Sequence, residues 1–194
     1  LRIVSTIGRH GLDEFLVGRG LGIVRLAFRA AFFWADRSGP RGVRLRLALQ
    51  ELGPIFVKFG QLLSIRPDLI PTDITDELSK LQDSVPPFPA ERVVETLDRA
   101  YGKPYAEVFR NFNLVPVASA SVAQVHFAEL PDGREVAVKI LRPHIAETID
   151  NDTGILYVVA GLIERMHPLS DLLRAREVVQ EFDKIIHDEL DLLR

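Results

Sequence analysis

A lysine set in an otherwise apolar run, Val136-Ala137-Val138-Lys139, is the residue of this sequence with the clearest chemical use. A buried cation on a strand needs an anionic partner, and Ala137, on the same face two residues away, leaves room for a flat group beside the amine. Upstream lies a run of small residues, Ala118-Ser119-Ala120-Ser121, leading into Val122-Ala123-Gln124-Val125. Lys58 and Gln61 are three apart. On a helix they share a face, so the amine can neutralise a carboxylate or phosphate while the amide hydrogen-bonds the same group. Glu189 and Asp191 are two apart and diverge by roughly 200° on a regular helix, so they have separate partners or the helix is irregular. Each group also has a plainer reading. Lys139 fits an edge-strand lysine reaching water, Lys58 and Gln61 fit a surface pair, and the acidic residues after 187 fit a solvated face.

The elements that position these residues are readable from periodicity and punctuation. Residues 1–50 read as helices, with Ile23, Leu26, Ala27 and Ala30 on one face and Arg25 and Arg29 on another. Ser38-Gly39-Pro40 breaks that pattern. Gly53-Pro54 closes one helix and opens the next, which carries Ile55, Phe59, Leu62 and Leu63 as an apolar stripe. Thr72 is the expected N-cap of a helix through Leu78 and Leu81. Val85-Pro86-Pro87-Phe88-Pro89 is a stiff linker, followed by a helix over Ala90 to Tyr101 and a short one over Tyr105 to Phe109. From Phe112 the pattern changes to strands. Ser121–Leu130 and Arg134–Leu141 flank Pro131-Asp132-Gly133, a hairpin turn that needs the positive φ glycine tolerates. Val136, Val138 and Ile140 point to one face, and Ala137 and Lys139 to the other. Helices over Glu147–Met166 and from Arg176 to the end complete the pattern.

Composition removes several chemistries. The 194 residues contain no cysteine and five scattered histidines, which excludes disulfide scaffolds, thiolate sites and thiol nucleophiles and leaves few ligands for zinc; no metal-ligand residues are assigned. Residues 1–50 carry nine Arg against three acidic side chains, a surplus of six positive charges, whereas the remainder carries 15 basic and 24 acidic residues. The basic start fits a solvated amphipathic helix or an anionic membrane surface. Trp34 with Phe32 and Phe33 is expected to pack beneath the N-terminal helices, an interfacial anchor being the alternative. His126 reads as a half-exposed strand residue. Neither a membrane span nor a signal peptide is expected, and the absence of an initiator Met and the helical pattern at Arg194 suggest a fragment.

The small-residue loop, the hairpin and V-A-V-K have the layout of a protein-kinase N-lobe, in which a loop covers the phosphates and a strand lysine contacts them. More specifically, the chain resembles the UbiB family of atypical, protein-kinase-like proteins of ubiquinone biosynthesis. Lys58-Phe59-Gly60-Gln61 matches its K-x-G-Q signature, Ala118 to His126 its alanine-rich loop, and Glu189-Leu190-Asp191 its E-x-D motif. Gly11-Leu12-Asp13-Glu14 looks like the bacterial members in particular. The resemblance implies an α+β fold, a helical N-terminal extension over residues 1–87 carrying K-x-G-Q and a kinase-like N-lobe over 88–194, with the C-lobe absent. It implies an active site in which Lys58, Gln61, Glu189 and Asp191 act catalytically. Ala118, Ser119, Ala120, Ser121, Val125, Ala137 and Lys139 would bind ATP. Magnesium would be held mainly by C-lobe residues outside this chain.

The activity so implied is ATP hydrolysis or kinase chemistry coupled to polyprenylphenol-type lipid precursors, at the cytoplasmic face of the bacterial inner membrane. The implied partners are ATP or ADP, these lipids, a membrane surface and other ubiquinone-biosynthesis proteins, with no nucleic acid; the fragment alone is expected to be inactive. The alternative is a pseudokinase-like module that binds prenylated intermediates or scaffolds a biosynthetic complex. Alanine and serine in place of the glycines of an ordinary kinase loop make a stiffer lid, which argues against a conventional protein kinase.

Overall fold

Residues 2–15, 22–35, 37–83, 85–166 and 174–192 are described by a computed structural model. Two units emerge: Leu1–Gln82 with Ile149–His187, and Asp83–Thr148 with Asp188–Arg194.

The first unit is helical. Helices α1 (Arg2–Arg9), α2 (Gly22–Ala31), α3 (Arg41–Leu52), α4 (Pro54–Ser64) and α5 (Thr72–Leu78) come from its N-terminal part. Most of α7 (Ile145–Met166) and nearly all of α8 (Ala175–Asp188) complete it. Gly53 sits between α3 and α4 with φ 120°, its N–H donating to Leu49 O, and Pro54 opens α4 where a missing N–H costs nothing. The buried face of α4 is Ile55, Phe56, Val57 and Gly60, wider than the expected stripe; Phe59, Leu62 and Leu63 are half-buried. Polar fasteners surround this core. Glu51 of α3 accepts from Thr6 Oγ1 at 2.7 Å, from His10 Nε2 at 2.9 Å and from Arg9, and Arg41 grips Asp73 through two bonds of 2.7 and 2.8 Å.

Two expectations about this unit are corrected, those for Thr72 and for the Phe33-Trp34 pair, and the direction of the α2 stripe is fixed. Thr72 occupies the first turn of α5 rather than its cap, because Pro71 stands at the cap with extended backbone. The apolar stripe of α2 faces solvent: Ile23 is 82% and Leu26 69% exposed, while Arg25 and Arg29 turn toward Asp13. Phe33 and Trp34 stay exposed with them, and only Phe32 packs inward, against Gly8, where a β-carbon would meet its ring at 2.5 Å.

The second unit is a small antiparallel sheet with one helix on its buried face. Strands β1 (Asn111–Phe112) and β2 (Ala118–Ser119) both pair with one edge of β3 (Ala123–Glu129), and β4 (Glu135–Leu141) pairs with the other. The β3–β4 register aligns Val125 with Lys139, His126 with Val138 and Phe127 with Ala137. Gly133 has φ 89° in the connecting turn, and its N–H donates to Leu130 O. Helix α6 (Ala90–Tyr101) supplies Val93 and Leu97 to a core shared with Phe109, Ala128 and Ile140. Its end at Gly102 is left-handed, as a C-terminal glycine permits. The expectation that α8 runs to the end of the chain is corrected as well. It stops at Asp188, where Asp188, Glu189 and Asp191 gather negative charge at the negative end of the helix dipole.

Candidate functional site

Strand pairing assembles the site. Ala118 lies opposite Val125, and Val125 opposite Lys139, so the three form one row across β2, β3 and β4. Ala137 is two residues from Lys139 and shares its face. That face is open. Ala118, Ala137 and Lys139 are exposed, Val125 is half-buried and Phe127 is 57% exposed. A shallow hollow of about 410 Å³ extends along the same face, walled by Asn111, Asn113, Phe127, Glu129, Glu135 and Ala137 among others. Lys139 Nζ donates to the backbone oxygen of Glu189 at 3.1 Å. Its exposure means that no burial cost has to be offset, and the amine is accessible to a ligand from solvent.

The small-residue loop is a tight turn fastened from two sides. Ala120 N–H donates to Ala123 O at 2.9 Å. Ser121 is fully buried, and its N–H and Oγ donate to the two carboxylate oxygens of Asp83 at 2.9 and 3.0 Å. Arg142 grips the other side. Its Nε donates to Ala120 O at 2.9 Å, and its Nη2 donates to Ser119 Oγ at 2.9 Å and to Pro86 O at 2.9 Å. The guanidinium lies 5.7 Å above the centre of the Phe88 ring. Burial pulls the Arg142 pKa below the ordinary guanidinium value, against the opposing charge of Asp83, yet an arginine so placed keeps its proton. Two amides that a glycine-rich lid would offer to phosphate are therefore bonded within the protein. Sequence reasoning passed over Asp83 and Arg142. The available signal was a charged residue at each end of the segments that bracket the loop.

The opposite face of the hairpin holds a directed polar chain. Phe88 N–H donates to Gln124 Oε1 at 3.0 Å, Gln124 Nε2 donates to His126 Nε2 at 3.0 Å, and His126 Nδ1 donates to Asn113 O at 2.8 Å. These bonds select the Nδ1-protonated, neutral tautomer. His126 is fully buried and stacks on Phe112 at 5.3 Å, which corrects the half-exposed reading. Its parity with Val138 rather than Lys139 decides the matter.

The K-x-G-Q residues belong to the first unit. At Gly60 α4 approaches its neighbours closely: a β-carbon there would meet Leu81 at 2.5 Å and Leu49 at 2.8 Å. Phe59 packs edge-on against Phe182 of α8 at 5.3 Å, and Gln61 Nε2 donates to Leu81 O at 3.0 Å. Lys58 is half-buried. Glu189 and Asp191 follow the end of α8, in the second unit. Among the described residues no group of three or more His, Asp or Glu side chains converges as a metal site.

Residues 80–194 match an ABC1 atypical kinase-like domain. The chain belongs to that family. This ABC1 chain is 53% identical, over its whole length, to a protein of Marinobacter nauticus described as "Probable protein kinase UbiB", and it spans 36% of that relative. The expectation of a UbiB-family chain with an α+β, kinase-like fold is met. A solved structure described as a complex of Rv3197 with erythromycin, from Mycobacterium tuberculosis, is 33% identical, covers 82% of this chain and 39% of its own, and superposes with a TM-score of 0.41. No helix among the described residues is long and apolar enough to cross a membrane.

Proposed function

We propose that this ABC1 chain is the nucleotide-binding part of an atypical kinase or ATPase that supports ubiquinone biosynthesis. It binds ATP on the open hairpin face, and hydrolysis is coupled to handling of polyprenylphenol-type lipids at the cytoplasmic face of a bacterial inner membrane. The observation that carries the reading is the row Ala118–Val125–Lys139 with Ala137 beside it. Small side chains leave space for a flat ring, and a lysine at the end of that space supplies charge for phosphates. Because the loop amides of Ala120 and Ser121 are bonded to Ala123 and Asp83, the phosphates draw on Lys139 rather than on a backbone cradle. ATP is the partner this geometry suits. Magnesium would accompany it, with ligands from outside this chain.

Lys58, Gln61, Glu189 and Asp191 enter the proposal through the family motifs, as groups that act on the bound nucleotide, and other ubiquinone-biosynthesis proteins enter as partners on the same ground. The test is ATP hydrolysis by the full-length protein, with and without a prenylphenol analogue. Stimulated hydrolysis that disappears in Lys58→Ala and Gln61→Ala supports the reading, and hydrolysis indifferent to both variants and to the analogue refutes it. The fastened loop favours one second reading, a scaffold in which nucleotide is bound and not turned over. Saturable ATP binding without hydrolysis would select it.

A further inference from the structure

Helix α2 is built inside out. Its arginines point inward: the Nε atoms of Arg25 and Arg29 each stand 3.6 Å from Asp13 Oδ2, and Arg37, beyond the helix, donates from Nε to Asp13 Oδ1 at 2.9 Å. Arg37 also closes the end of the helix, donating to Phe32 O and Ala35 O at 3.1 Å each. Asp13 is 2% exposed. Burial pushes its pKa up, but the hydrogen bond and charge of Arg37, with the charges of Arg29 and Arg25, outweigh that and hold it below the ordinary carboxylate range. One carboxylate thus answers three guanidiniums. With Arg44 and Glu14 they wall a hollow of about 210 Å³ in which cations exceed anions by two. The outward face carries the large apolar groups instead: Ile23, Leu26, Phe33 and Trp34 are 82%, 69%, 78% and 61% exposed. Phe33 and Trp34 pack edge to face at 5.1 Å and form an aromatic end to that face.

An apolar helix face in water is unfavourable by the full transfer free energy of its side chains, so it calls for a cover. We propose that the α2 face is a docking surface for a lipid bilayer with anionic headgroups. Ile23, Leu26, Phe33 and Trp34 enter the acyl boundary, and the half-exposed side chains of Arg25 and Arg29 meet the headgroup phosphates. Charge complementarity argues for this occupant: around the hollow beside α2 four guanidiniums meet only the carboxylates of Asp13 and Glu14, and both Arg25 and Arg29 keep about half of their side-chain surface open. Tryptophan and phenylalanine next to arginine are the side chains suited to the bilayer interface. The inference deepens the location part of the proposed function, and it requires neither nucleotide nor prenyl lipid.

The test is hydrogen exchange of the full-length protein on phosphatidylglycerol vesicles, on phosphatidylcholine vesicles and in inorganic phosphate without lipid. The account expects slowed exchange across residues 22–34 on phosphatidylglycerol alone, weakened by high salt. Ile23→Ser with Leu26→Ser should lower that partition about tenfold or more while leaving the melting temperature and the exchange of α6 unchanged, since both residues lie in the open. Three results would overturn it: equal exchange on both vesicle types, protection by inorganic phosphate without vesicles, or protection that grows with protein concentration in the absence of lipid. The last would assign the face to a second copy of the chain. Failure here with ATP hydrolysis intact would leave the nucleotide reading standing, and the reverse holds as well.

Discussion

On one face of the β3–β4 hairpin, Gln124, His126 and Ala128 meet Val136, Val138 and Ile140 in a packed core; on the other, Val125 and Phe127 meet Lys139 and Ala137 in the open. The two faces share every backbone hydrogen bond of the ladder and differ only in the parity of their side chains. The difference teaches how a two-strand motif divides its duties. The even residues hold the sheet on α6 and anchor the loop and linker, so the odd residues carry almost no structural obligation and are open to a ligand.

Substitutions can break or sharpen that division, beginning with the largest effect. Ile140→Ala removes a side chain that is 3% exposed within the α6 core; urea unfolding should show a loss of about 2–5 kcal/mol, and a loss below about 1 kcal/mol would deny the even face its structural role. His126→Phe keeps a ring on Phe112 but strands Gln124 Nε2 and Asn113 O, for an expected cost of about 1–3 kcal/mol. In Ser121→Ala the amide bond to Asp83 survives and the hydroxyl bond does not; about 1–2 kcal/mol should go, with nucleotide affinity unchanged if the loop is pinned rather than engaged. Phe127→Ser, on the open face, should move stability by less than about 0.5 kcal/mol. A larger change would show that the open face is covered in solution.

The sheet was the most legible part of the sequence because its signals are local. Pro131-Asp132-Gly133 set the turn, and strict alternation after it placed Lys139 and Ala137 opposite the core face. Helix α6 was equally plain, running from the residue after Pro89 to the residue before Gly102. Helices α2 and α4 show where that legibility ends. Both carry an apolar stripe, and periodicity finds the stripe without saying which way it faces. In α4 the narrow approach at Gly60 shows that the helix packs closely. In α2 the direction depends on Asp13, an acid nine residues before the helix begins whose pull on Arg25 and Arg29 no local pattern reveals. The same holds for Asp83 and Arg142, whose bonds to the loop span 38 and 22 residues. The end of α8 ahead of Glu189 and Asp191 was readable in principle, since acidic residues crowd the end of a helix where cations are favoured.

The central claim is that the open hairpin face binds nucleotide through Lys139. Its most direct test is titration of ATP into the full-length protein and its Lys139→Ala variant, with affinity and unliganded melting temperature measured on the same samples. The account predicts roughly ten- to hundredfold weaker binding, the worth of a charged hydrogen-bond partner, with the melting temperature unchanged. Equal affinity in the two proteins, or a variant that loses binding only because it melts earlier, would contradict it.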